Sequence, residues 1–319
     1  MKTAFVFSGQ GSQSIGMGLS LYENFRVARD VFEEVDDTLH EKLSELMFRG
    51  DMARLTQTQN AQPAIMSVGM AVVRVLEKEL GYSLTDCASY MAGHSLGEYT
   101  ALCAAGALTL SDTAKLLQIR GLAMAWGSAI IYGGMMAILG LDKGKIEEII
   151  GRISTREEAV YIANDNCLGQ IIVSGDIRAL SRMKVEAEKM GVKKVIPLAV
   201  DGAFHSPYMQ PAADELLETI QKIPVSTPKV PVVANVTAMP ETDPEKIKKN
   251  MIAQVTGSVR WRESVDFMVK EGIDTFIECA NGKVMAGLVR RIAPDAQMVS
   301  AGDAESIQNV LSILGKKAV

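Results

Sequence analysis

The chain has 319 residues, 48% apolar and 22% charged, values ordinary for a soluble globular enzyme and unlike those of a disordered chain. A formal net charge of −5 leaves no basic surplus for nucleic acid, so that class of partner is not expected. At roughly 150 residues per domain, the length suits one large domain, alone or carrying a smaller one.

Residues 3–7 predict a short apolar strand that runs into the turn Gly9-Gln10-Gly11-Ser12-Gln13. Ser8-Gly9 breaks the run far too early for a signal peptide. A helix-rich region follows, in which Pro63 is expected to open an amphipathic helix to about residue 80. Residues 88–92 predict a second strand, ending at Gly93-His94-Ser95-Leu96-Gly97, and 98–105 and 111–124 predict helices. The uncharged stretch 121–141 has the length of a membrane span, but within it lie Gly127, Gly133, Gly134 and Gly140. Its tail predicts a buried strand entered through Gly133-Gly134, and no membrane partner is expected.

The middle of the chain alternates strand 135–140, helix 143–153, strands 159–163 and 170–174, helix 177–190 and strand 194–198. That βαββαβ order is the ferredoxin-like split unit. Beyond it come a helix near 211–223, a strand at 230–234, helices near 245–255 and 262–270, and a strand at 275–278. Alternation of this kind predicts an α/β fold with a mostly parallel sheet. The expected organisation is a discontinuous large domain, residues 1–130 and 203–319, with an inserted small domain at 131–202. Cys87, Cys103, Cys167 and Cys279 are scattered without CxxC spacing, which predicts neither zinc nor disulfides and fits a reducing cytoplasm.

Gly93-His94-Ser95-Leu96-Gly97 matches the G-x-S-x-G nucleophile elbow in its required setting of strand, tight turn and helix. There the glycines allow the serine a strained turn, and the helix N-terminus aims N–H groups at a developing oxyanion. The alternative is an ordinary turn serine. Of the three histidines, His40 lies in an acidic helix and reads as surface, and His94 adjoins Ser95 and reads as a buttress of the turn. His205, in Gly202-Ala203-Phe204-His205-Ser206-Pro207 just after a predicted strand, is the best general base, with a structural turn histidine as its alternative. Gly9-Gln10-Gly11 does not extend to G-x-G-x-x-G, because Ser14 stands at the third glycine.

These motifs, together with Arg120-Gly121, Gly175, Gln254, Val259-Arg260-Trp261 and Gly282-Lys283-Val284, resemble the malonyl-CoA:acyl carrier protein transacylases of type II fatty acid synthesis over nearly the whole chain. The resemblance implies a hydrolase-like α/β domain with a ferredoxin-like insert. It also implies Ser95 as the acylated nucleophile, His205 as its base and Arg120 as a clamp for the malonate carboxylate. The backbone amides of Gln10 and Leu96 would form the oxyanion hole, and the Gln254 carbonyl would orient His205, so no catalytic Asp is nominated. Asn164 would face the cleft from the small domain. The implied partners are malonyl-CoA and acyl carrier protein, met by a cytoplasmic enzyme expected to be a monomer. No metal or redox cofactor is expected, since coenzyme A and phosphopantetheine enter as parts of substrates. Lys193, Lys194, Lys283, Arg290 and Arg291 are the basic residues expected to meet an acidic carrier.

The chain departs from that family pattern at Ser8 and Ser258, where proline is usual, at Ala125-Trp126, where a Gln-Glu pair is expected, and at Cys279-Ala280-Asn281, where Gly-Pro is common. The rival readings are an esterase or thioesterase, for which Arg120 has no use, a transferase of branched acyl groups, which Phe204 would crowd, and a non-catalytic binding protein.

Overall fold

A computed structural model describes residues 2–130, 132–200 and 202–315. Its first strand, β1 (Thr3–Phe7), is buried at all five positions, as a strand covered on both faces of a parallel sheet must be. Phe5 and Phe7 enter one apolar core, while Ala4 and Val6 enter a second on the opposite face, following the two-residue period of a strand.

β1 pairs in parallel with β2 (Ala88–Gly93). Next in the chain come β3 (Gly133–Leu139), β4 (Val160–Cys167), β5 (Gln170–Asp176) and β6 (Lys194–Pro197). β7 (Val232–Val233), β8 (Pro240–Glu241), β9 (Thr275–Cys279) and β10 (Gln297–Ala301) complete the set. The larger sheet runs β10-β9-β1-β2-β7-β8, parallel throughout except for the β7–β8 edge pair. The smaller sheet runs β4-β5-β3-β6, all antiparallel. This is the expected α/β architecture, a mostly parallel sheet beside a ferredoxin-like one.

Two expectations are corrected. Pro63 does not open its helix, which spans Thr58–Leu80 and contains it. The turn before the proline is held from outside, since the Asn60 side-chain amide donates to the Arg54 carbonyl at 2.8 Å. The helix expected at 111–124 runs Leu110–Ala129, beyond the expected end. The uncharged stretch thus divides into the end of that helix and β3, with Ile131 outside the described residues. Among the described residues no helix is long and apolar enough to cross a membrane. Sequence reading also passed over helices Val284–Ile292 and Ala304–Leu314 and the strand β10 between them.

The small sheet is fastened to the large one through β4. Asp165 N–H donates to the Val259 carbonyl at 3.0 Å, and Val259 N–H donates to the Ala163 carbonyl at 2.8 Å. Beside this bridge Arg262 reaches both oxygens of Asp165, at 3.1 and 2.7 Å, and the Asp165 side chain is only 2% exposed. Removing one partner of a buried pair strands the other charge. Arg262→Ala should therefore cost about 3 kcal/mol of stability, read by urea or thermal unfolding, with Arg262→Lys recovering part of it.

Candidate active site

Ser95 ends the turn out of β2 and precedes helix Leu96–Ala104. Its φ of 55° and ψ of −112° are rare for a residue with a side chain and cost on the order of 1–3 kcal/mol. Glycine is needed at position 93, because a Cβ there would lie 1.9 Å from the Gly97 carbonyl oxygen. The strain is held by side chains from distant elements. Ser95 N–H donates to Asn235 Oδ1 at 2.8 Å, and Asn235 Nδ2 donates to the Gly93 carbonyl at 2.7 Å. Gln254 Nε2 donates to the Ser95 carbonyl at 3.0 Å and to Glu98 Oε2 at 2.8 Å, and Asn235 N–H donates to the same Glu98 oxygen at 2.8 Å.

His205 also has positive φ, 57°, in a turn fixed by Ser206 Oγ donating to the Ala203 carbonyl and Ser174 Oγ, on β5, donating to the Phe204 carbonyl. Its Nε2 lies 2.7 Å from Ser95 Oγ. Its Nδ1 faces the carbonyls of Gln254 at 2.9 Å and Gly257 at 3.2 Å. Carbonyls only accept, so Nδ1 carries the proton and Nε2 is left to accept from the serine hydroxyl. Burial, reinforced by the charge of Arg120, pushes the His205 imidazole down to about 3, so it is neutral at physiological pH.

Arg120 is 1% exposed. It donates through Nη1 to Gln62 Oε1 at 2.7 Å and through Nη2 to Gln254 Oε1 and Ser95 Oγ, both at 3.1 Å. Its guanidinium lies 5.2 Å from the centre of the Tyr99 ring, and its buried Nε has no partner among the described residues. Burial lowers its pKa, and burial likewise pushes Glu98 up to about 7. Arg120 is thus a dry cation beside a hydroxyl, able to take an anion.

His94 turns away from this cluster. Its backbone N–H donates to the Phe7 carbonyl, its ring Nε2 lies 2.9 Å from Asn166 Oδ1 on β4, and its ring leans on Trp261. Asn164 is buried on the same strand, with its amide 3.5 Å from His94 Nε2. The amides of Gln10 and Leu96 find no acceptor among the described residues, and Leu96 is the first residue of its helix. His40 is exposed, at the end of helix Arg26–Leu39. Among the described residues no group of three His, Cys, Asp or Glu is placed to hold a metal ion.

Sequence reasoning missed Asn235, Gln62, Asn166 and the carboxylate of Glu98. Gln62 carried a signal, a polar side chain amid apolar neighbours of a buried helix. Asn235 carried none, since its partners lie far away in the chain.

Comparison with known proteins identifies the family. The acyl transferase domain family matches residues 4–307. A malonyl CoA-acyl carrier protein transacylase of Bacillus subtilis is 41% identical over 313 residues, 98% of this chain and 97% of that one. The crystal structure of an acyl-carrier-protein S-malonyltransferase from Bartonella henselae superposes with a TM-score of 0.95 at 47% identity, covering 99% of this chain and 100% of that one. A malonyl-transacylase solved in complex with its type II polyketide acyl-carrier protein superposes at 0.94, with 33% identity over 98% of this chain and 100% of that one. A strained serine hydrogen-bonded to a neutral imidazole, in a chain matched from end to end by these relatives, leaves one assignment: the protein belongs to the malonyl CoA-acyl carrier protein transacylases of the acyl transferase family.

Proposed function

We propose that this enzyme moves malonyl from malonyl-CoA to the phosphopantetheine thiol of acyl carrier protein, through an ester on Ser95, as a cytoplasmic monomer of fatty acid biosynthesis. The observation that carries the reading is the single set of contacts joining Ser95 Oγ to His205 Nε2 at 2.7 Å and to Arg120 Nη2 at 3.1 Å. Nucleophile, base and buried cation meet at one oxygen.

Ser95 Oγ attacks the thioester carbonyl as His205 Nε2 takes its proton, while the Gln10 and Leu96 amides receive the oxyanion. The tetrahedral intermediate collapses, the C–S bond breaks, and the imidazolium returns its proton to the departing coenzyme A thiolate. The carrier thiol then gives its proton to His205 and attacks the ester, and Ser95 Oγ leaves with that proton. Arg120 donates to the free carboxylate of malonate, for which its buried Nε is a waiting donor. His94 and Asn164 brace the elbow against the small sheet. Lys193, Lys194, Lys283, Arg290 and Arg291 are exposed, as residues that steer an acidic carrier must be.

Malonyl-CoA should add one malonyl unit to the protein, and Ser95→Ala should abolish it. Intact mass with peptide mapping decides this, and label on another peptide removes Ser95 from its role.

Wild type should strongly prefer malonyl-CoA to acetyl-CoA, which leaves the dry guanidinium unpaired. Arg120→Ala should cut kcat/KM for malonyl-CoA on the order of a hundredfold or more, and narrow the malonyl-to-acetyl ratio. Arg120→Lys should recover only part. An unchanged ratio in Arg120→Ala gives the enzyme some other acyl substrate.

Because the His205 imidazole stays neutral well below its ordinary range, the acylation rate should show no half-point near pH 6.5 and hold down to about pH 5. Glu98 changes charge near neutrality, so any inflection near 7 should vanish in Glu98→Gln. A half-point near 6.5 in both proteins would mean an unperturbed imidazole.

A further inference from the structure

The loop after β1 brings Gly9, the neighbour of Gln10, against the elbow, and two groups of side chains pin it. Val6 is the register partner of Glu278 on β9, so Glu278 stands beside the point where the chain leaves the sheet. Glu278 is fully buried, and all of its partners are neutral donors. Oε1 accepts from Ser8 Oγ at 2.9 Å and Met285 N–H at 2.9 Å. Oε2 accepts from Ala286 N–H at 3.0 Å and Ser300 Oγ at 2.9 Å. A buried carboxyl group so occupied cannot turn without leaving donors unpaired, and the hydrogen bonds it accepts from Met285 and Ala286 N–H lock it to the start of helix Val284–Ile292. Ser8 is therefore tied to a fixed point.

Past Gln10 the loop is tied again. Asn281 Nδ2 donates to the Ser12 carbonyl at 2.6 Å and to Ser14 Oγ at 3.0 Å, and Ser12 Oγ donates back to the Gly9 carbonyl at 3.0 Å. Between the two ties Gly9 presses on the elbow, where a Cβ would come within 2.7 Å of the His94 carbonyl oxygen. The Gln10 amide thus sits on a short span held at both ends.

We propose that Ser8, Glu278 and Asn281 are positioning residues that aim the Gln10 amide at the oxyanion formed on attack by Ser95. This rests on the acyl-transfer reading of the site. An oxyanion donor acts only within a narrow distance of the forming charge, so loosening its loop slows the chemical step and spares substrate binding.

The test is rapid-quench measurement of malonyl-Ser95 formation by intact mass, across malonyl-CoA concentrations. Ser8→Ala should lower the maximal acylation rate by on the order of tenfold, with half-saturation within about twofold of wild type. Ser8→Thr, which keeps the hydroxyl, should restore most of the rate. Asn281→Ala, on the solvent side of the loop, should slow acylation by roughly threefold and fold normally. Absence of any malonyl-enzyme in wild type sinks the reading of the site. Acylation of wild type and Ser8→Ala at one rate constant sinks the positioning proposal alone, as does a loss in Ser8→Ala confined to the amplitude, which reports only fewer folded molecules. If Ser8→Ala does not fold, an unchanged rate constant in Asn281→Ala overturns the proposal.

Discussion

Everything at this site depends on keeping Ser95 in a backbone conformation it would not choose. The strain is met by a buried polar network, Asn235 on the Ser95 amide and Gln254 on its carbonyl, both anchored on Glu98. Each member satisfies at least two others, so none can relax alone, and the low-dielectric surroundings strengthen every bond. Gln254 has a double part. Its side chain holds the elbow and Arg120, while its main-chain carbonyl sets the tautomer of His205. One residue thus holds Ser95, His205 and Arg120 together.

The electrostatics follow from the same burial. Arg120 and Glu98 are both dry and face the same glutamine from opposite sides. Desolvation works against charge on both, and their mutual attraction works for it. His205 lies beside the cation and is held neutral, which keeps its Nε2 lone pair free for the Ser95 proton.

The small sheet takes part in this arrangement as well as flanking it. β4 supplies Asn166 to His94, and β5 supplies Ser174 to the His205 turn. With the Asp165–Arg262 pair and the bridge to Val259, these contacts make the small sheet one wall of the site. Transfer and hydrolysis share the same chemistry, and shielding of the ester from water separates them.

The sequence by itself determined the local pieces: the α/β alternation, the βαββαβ unit, and the strand, turn and helix around Ser95. Those are properties of short windows, where glycine spacing and apolar period speak directly. It misplaced the start of the Thr58–Leu80 helix, because that helix runs through Pro63 and the preference of proline for a first turn does not mark its start. Asn235 and Asn166 were invisible, and Gln62 showed only as a polar residue in a buried helix, since a polar residue's partner cannot be read from its neighbours in the chain. The protonated nitrogen of His205, the dry state of Arg120 and the joining of Ser8 to Glu278 were decided by tertiary structure alone. Each depends on which groups burial brings within about 3 Å of one another, and hydrogen bonding acts at that distance, not at a separation in sequence.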